Sequence, residues 1–236
     1  MLEKMINVLK QFIIGLCVFF IYMLASRYQA TPLILFNIDP SSMPLYLKVI
    51  YMIGYEMILM AIIIYIFRDK IEKDINDIKI NHQKYFSKYL KLWIFSVAIM
   101  MISNLLISHV LPNSLPTNEK TIREVFNKSP IYIFFSTVIF APIVEELVFR
   151  QGFRYMFTTD WLFILMSGLV FGSLHVLNST NSLAELLYLI PYSAPGIIFA
   201  YILAKTNNIL VTMGLHFMHN GILVSLQFLL LIFGKI

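Results

Sequence analysis

Residues 131–150 read "IYIFFSTVIFAPIVEELVFR". Ten residues with only one Ser and one Thr among apolar side chains lead through Pro142 into two adjacent carboxylates, Glu145 and Glu146, with Arg150 following. An apolar run of this length predicts a helix that crosses a bilayer, whose hydrocarbon core of ~30 Å needs ~20 residues. A charge near the middle of such a helix costs roughly 2.5–3.5 kcal/mol on insertion scales. Acids kept at that cost point to a functional site inside the membrane.

The rest of the chain agrees with a membrane reading. Of 236 residues, 59% are hydrophobic and 13% charged, with a mean hydropathy of +0.78, about half the charge of an ordinary soluble domain. Apolar stretches at about 11–28, 47–67, 92–111, 131–156, 161–178, 184–204 and 207–233 predict an all-α, polytopic membrane helical bundle of seven transmembrane helices. A break at Gly221 would make eight. The whole of 1–236 reads as a single integral membrane domain. Cys17 is the one cysteine and lies inside the first apolar stretch, so no intramolecular disulfide exists.

The net charge of +5 gives no reason to expect a nucleic-acid partner. Seven of the 18 Lys and Arg residues fall between Arg68 and Lys91, where they read as a solvated connector beside anionic lipid. Positive loops stay cytoplasmic, which places the N-terminus in the cytoplasm and 111–130 outside. Ser129-Pro130 predicts an N-cap with proline at the first helical position, and 118–127 a short amphipathic helix.

Polar residues inside the C-terminal spans form three groups: Glu145, Glu146 and Arg150; His175; and His216, His219 and Asn220. At 1.5 Å per residue, Glu145 lies ~18 Å from the turn at 157, His175 ~22 Å from that at 160, and His216 ~15 Å from that at 206. All three turns are on one face, so the groups converge on a mid-membrane cavity. Glu146 and Arg150 share a helix face in the favourable order for an ion pair, while Glu145 points ~100° away. Pro142 predicts a kink. Glu56 is a further buried acid with no evident partner, and neither it nor His219 receives a role.

Three chemistries fit such a site. Glu145 could activate water as a general base, share a metal with His175 and His216, or relay protons in a transporter. No H-E-x-x-H motif is present, no Asp lies inside a span, and Ser173 lacks the G-x-S-x-G setting. These absences argue against the zinc-helix, aspartyl-pair and serine routes.

The order E-E-x-x-x-R, F-x-x-x-H, H-x-x-x-N, here Glu145-Glu146…Arg150, Phe171…His175 and His216…Asn220, resembles the CAAX prenyl protease and bacteriocin-processing family (CPBP, or Abi) over about 130–222. The resemblance implies an intramembrane endopeptidase. In it, Glu145 and His175 activate water, His216 and Asn220 stabilise the oxyanion, and Glu146 and Arg150 support them. Zinc, which is not obligatory on that resemblance, would be held by Glu145, His175 and His216. The expected partners are a peptide or membrane-protein substrate, with or without a lipid, and the bilayer, here the bacterial plasma membrane. Substrate entry is expected laterally or from the cytoplasmic side. The competing expectation is a non-catalytic immunity or scaffold protein that binds through the same cavity.

Overall fold

The computed structural model describes residues 1–111, 116–177 and 183–233, all helix or short connection, with no strand among them. Eight helices follow in order. They are α1 (Leu2–Arg27), the short α2 (Thr31–Leu35), α3 (Leu45–Val110), α4 (Thr117–Lys128), α5 (Pro130–Met156), α6 (Asp160–Leu177), α7 (Leu183–Thr206) and α8 (Ile209–Ile232). Six are long and apolar enough to cross a membrane. The stretch from 207 onward is one helix with no break at Gly221.

The connector expected at 68–91 is not a loop. α3 runs for 66 residues, ~99 Å at 1.5 Å per residue, far more than one crossing needs. Its contacts show how it is used. Glu56 meets Tyr132 and Ser136 at the start of α5, and Phe67 meets Tyr155 near its end. Asp74 then accepts from the Ile209 amide at the start of α8, and Trp93 lies against His219 further along it. Ile107 packs with Val176 and Tyr188 at the end of the bundle from which Glu56 started. The element descends along α5, turns through its polar middle, and climbs along α8. Its two apolar halves correspond to the stretches expected to cross at 47–67 and 92–111, which one continuous helix carries.

The polar middle of α3 is tied down rather than free. Lys70 and Asp74 form an ion pair, Lys70 Nζ donates to the Asn207 carbonyl, and the Asn208 amide donates to Asp74 O and Asp77 Oδ2. Asn207 takes a left-handed conformation (φ 49°), which Asn tolerates at a helix end. Asn208 caps α8 by accepting from Leu210 N at 3.0 Å. The turn near 206 is thereby fixed to α3.

At the opposite end, α4 covers the expected 118–127 helix, and Pro130 opens α5 as expected. The Ser129 side chain makes no capping bond. Residues 112–115 of the predicted outer loop lie outside the described residues. α6 and α7 form the tightest pair, made possible by Gly168 and Gly172. A Cβ on Gly172 would stand 2.8 Å from the Ser193 amide nitrogen. The expected small-residue approach is thus realised, with α7 as the neighbour.

Candidate active site

The helix that opens the sequence argument departs from α geometry on both sides of Pro142. Phe134–Phe140 and Glu146–Gly152 are π-helical, flanking a single α turn at Ala141–Glu145. Such π insertions arise where the regular ladder cannot be completed, and they gather at functional sites. Here the cause is visible. Ala141 N–H bonds to Ser136 O, one residue further back than in an α-helix, and Pro142 has no N–H to give. Thr137 O is left without an intrahelical donor. The Asn220 side chain fills it, donating from Nδ2 at 2.8 Å. A kink at Pro142 was expected; the π stretches, and the side chain that repairs them, were not legible in the spacing.

Within this frame the two acids separate as helix geometry requires. Glu146 and Arg150 are fully buried, with Arg150 Nε 3.5 Å from Glu146 Oε2. Arg150 also reaches Ser167 Oγ at 3.2 Å and lies 4.5 Å over the Phe171 ring. Glu146 has a second partner that sequence reading missed: His216 Nδ1 donates to its Oε1 at 3.0 Å. That bond sets the imidazole's orientation and leaves Nε2 directed at Glu145, 3.8 Å from Oε2. A buried carboxylate holding one ring nitrogen while the other faces the reacting region is how proteins prepare a histidine for proton transfer.

Glu145 retains 13% side-chain exposure and lines a cavity of about 420 Å³ together with His175. The His175 ring is held by Nδ1, which donates to Phe171 O at 2.9 Å, and by stacking on Tyr192 at 5.3 Å. With the proton on Nδ1, Nε2 is left as an acceptor. The mid-membrane convergence expected from depth is therefore present: Glu145, Glu146 and His216 meet, and His175 joins Glu145 on one wall. Asn220 faces α5 alongside His216, as expected of i,i+4 neighbours, but one of its amide N–H groups is committed to Thr137 O. His219 turns aside, edge-on to the Trp93 ring at 6.3 Å.

The remaining buried acid has partners after all. Glu56 Oε1 accepts from Tyr132 Oη at 2.9 Å and Ser136 Oγ at 2.8 Å. Both donors lie on a helix distant in sequence, so no local spacing could disclose them. The cavity wall also includes Ser26, Arg27 and Asn118. It therefore extends toward the end of the bundle opposite the basic arm, not toward the 157–160 turn.

Among the described residues no three His, Cys, Asp or Glu side chains gather closely enough to hold a metal ion. Glu145 and His216 approach each other, but His175 does not complete a donor set with them. The residues as arranged do not fit a zinc site.

Residues 127–222 match the family model for type II CAAX prenyl endopeptidase Rce1-like proteins. The chain is also 33% identical over 113 residues to the "Putative membrane peptidase YdiL" of Bacillus subtilis (strain 168). That match covers 47% of this chain and 43% of the relative, so the chain spans less than half the length of the curated relative it matches. No solved structure matches. The matched segment runs from the end of α4 to the middle of α8 and contains Glu145, Glu146, Arg150, His175, His216 and Asn220. Over this segment the chain is similar to that family and to that relative.

Proposed function

We propose that the protein is an intramembrane peptidase, CAAX endopeptidase-like, that hydrolyses a peptide bond with water activated by Glu145. The observation that carries this reading is the pairing of roles around one cavity. Glu145 is the partly open acid on the wall, and His216 beside it is oriented by the buried Glu146.

In the reaction, a water in the cavity attacks the scissile carbonyl carbon. One of its protons passes to the Glu145 carboxylate as the C–O bond forms. His175, with Nε2 as an acceptor, holds that water's second hydrogen. His216 in its imidazolium form, with Nδ1–H on Glu146, would present Nε2–H to the oxyanion. The Glu145 proton then goes to the leaving amine as the C–N bond breaks, leaving a carboxylate product and an amine product. Arg150 touches none of the reacting atoms; it balances Glu146 so that the imidazole stays aligned.

The substrate class is a peptide or membrane-protein segment, and the name of the matched family supports a lipidated one. The same hydrolysis would serve peptide maturation or bacteriocin immunity. The positive charge of the arm supports a cytoplasmic location for residues 68–91 and the N-terminus, in a bacterial plasma membrane.

The test compares membranes containing wild type or Glu145→Gln by mass spectrometry of released and retained peptides. New C-termini confined to the wild type are expected. Identical profiles from two equally well-folded proteins would make the cavity a docking site instead.

A further inference from the structure

The ring that stacks on His175 is itself held from outside the crossing helices. Tyr192 of α7 lies against the imidazole with ring centroids 5.3 Å apart and planes 23° from parallel. Backbone packing sets this register. Gly172, in the turn before His175 on α6, lies so close to α7 that a Cβ on it would stand 2.8 Å from the Ser193 amide nitrogen. Tyr192 is thereby fixed at the level of His175. The Nδ1 bond to Phe171 O anchors one edge of the imidazole, and the face of Tyr192 limits how far the ring can tilt about that edge.

The Tyr192 hydroxyl is hydrogen-bonded to the Asn118 side chain in the first turn of α4. Asn118 also stands on the wall of the cavity that Glu145 and His175 share. The other end of α4 is anchored elsewhere. Phe126 is buried among Ile133, Val138 and Val224, and its ring meets Phe228 at 5.0 Å. From Phe126 to Asn118 is about 12 Å along the helix, so α4 is footed on α5 and α8 and reaches across to α7. Two successive contacts, Asn118 to Tyr192 and Tyr192 to His175, join this outer helix to the imidazole that faces the water. Stacking alone is weakly directional and lets the phenol ring slide over its partner. The hydroxyl bond removes that freedom.

We propose that Asn118 is a positioning residue for the hydrolysis. By holding the Tyr192 hydroxyl, it fixes the tilt of His175 and so the point at which Nε2 meets the water. Helix α4 then governs the rate of turnover although none of its groups touches the reacting atoms. This rests on the peptidase reading.

The test uses the full chain in detergent and a quenched fluorescent peptide built on a site that wild type cuts and Glu145→Gln does not. Asn118→Ala and Tyr192→Phe each remove the same hydrogen bond and leave the stacked ring in place. Each is expected to lower kcat about tenfold, a fraction of the ~100-fold that a displacement of about 1 Å brings. KM should stay within about twofold of wild type, because ground-state binding is untouched. The double variant should be no slower than either single one, since one bond is lost in all three. Tyr192→Leu, which removes the ring as well, should approach the ~100-fold loss. Tyr192→Phe deletes a single oxygen, so it carries the test if Asn118→Ala folds poorly. An unchanged kcat in Tyr192→Phe overturns the proposal, and so do losses that multiply in the double variant. A loss confined to KM also overturns it, by making Asn118 a substrate contact on the cavity wall. If no site depends on Glu145, the peptidase reading itself fails, and the proposal with it.

Discussion

Asn220 shows how one residue can be explained from the backbone outward. Pro142 withholds the N–H that a π turn would direct to Thr137 O, and the Asn220 amide supplies a substitute from another helix. Losing a partner in such a place leaves a carbonyl unsatisfied at about 1–3 kcal/mol. Asn220→Ala is expected to destabilise the protein by that amount in detergent unfolding experiments. Pro142→Ala restores a local donor, so Asn220→Ala should cost distinctly less in that background. Additivity of the two changes within about 0.5 kcal/mol would show that they do not act through one carbonyl. The prediction concerns stability and is separate from any contact Asn220 makes with substrate.

For the elements, the junction between α3 and α8 carries the clearest consequence. Asn208 caps α8 and also bonds two points on the α3 arm. Asn208→Ala should lower Tm, with a loss of about 0.5–2 kcal/mol from the cap alone. The Asn208 amide is also the main reason that the Asp77 carboxyl titrates below the usual carboxylate range, with Tyr85 and Asn81 adding bonds. A depressed folded value means this contribution is fully present above about pH 4, the ordinary aspartate value. It is lost as pH falls through the lower folded value. The stability gap between wild type and Asn208→Ala should accordingly narrow on acidification from pH 7 to below 4. A gap that stays constant would remove Asp77 from the account. The helical arm also shows a limit of periodicity. Its charge pattern reads equally well as a solvated loop, and only the partners at 207–209 reveal it as an anchored helix.

Across the whole molecule, the two ends of the bundle have different character. The arm, the 157–160 turn and the 206–208 turn share one end, while Ser26, Arg27 and Asn118 stand on the cavity wall toward the other. A cytoplasmic arm, as proposed, would have the cavity reach toward the outer face. In a Cys17→Ala background, Ser26→Cys should react with a membrane-impermeant maleimide on intact cells, and Lys79→Cys only after permeabilisation. The reverse pattern would invert the orientation, and with it the side from which substrate arrives.

What the sequence by itself determined is whatever depends on local spacing and on transfer into lipid. Apolar run lengths marked the membrane-length stretches, 47–67 and 92–111 among them, although one helix carries both. Helical rise put Glu145, His175 and His216 at one depth, and the i,i+4 interval paired Glu146 with Arg150. Tertiary structure alone decided which groups touch. It set His216 between the two glutamates, gave Glu56 its donors on α5, turned His219 onto Trp93, and brought Arg27 to the cavity wall. Those outcomes depend on how helices rotate and cross, which close packing at Gly15, Gly168 and Gly172 settles. A period of 3.6 residues says which face a side chain occupies, but not which distant helix that face will meet.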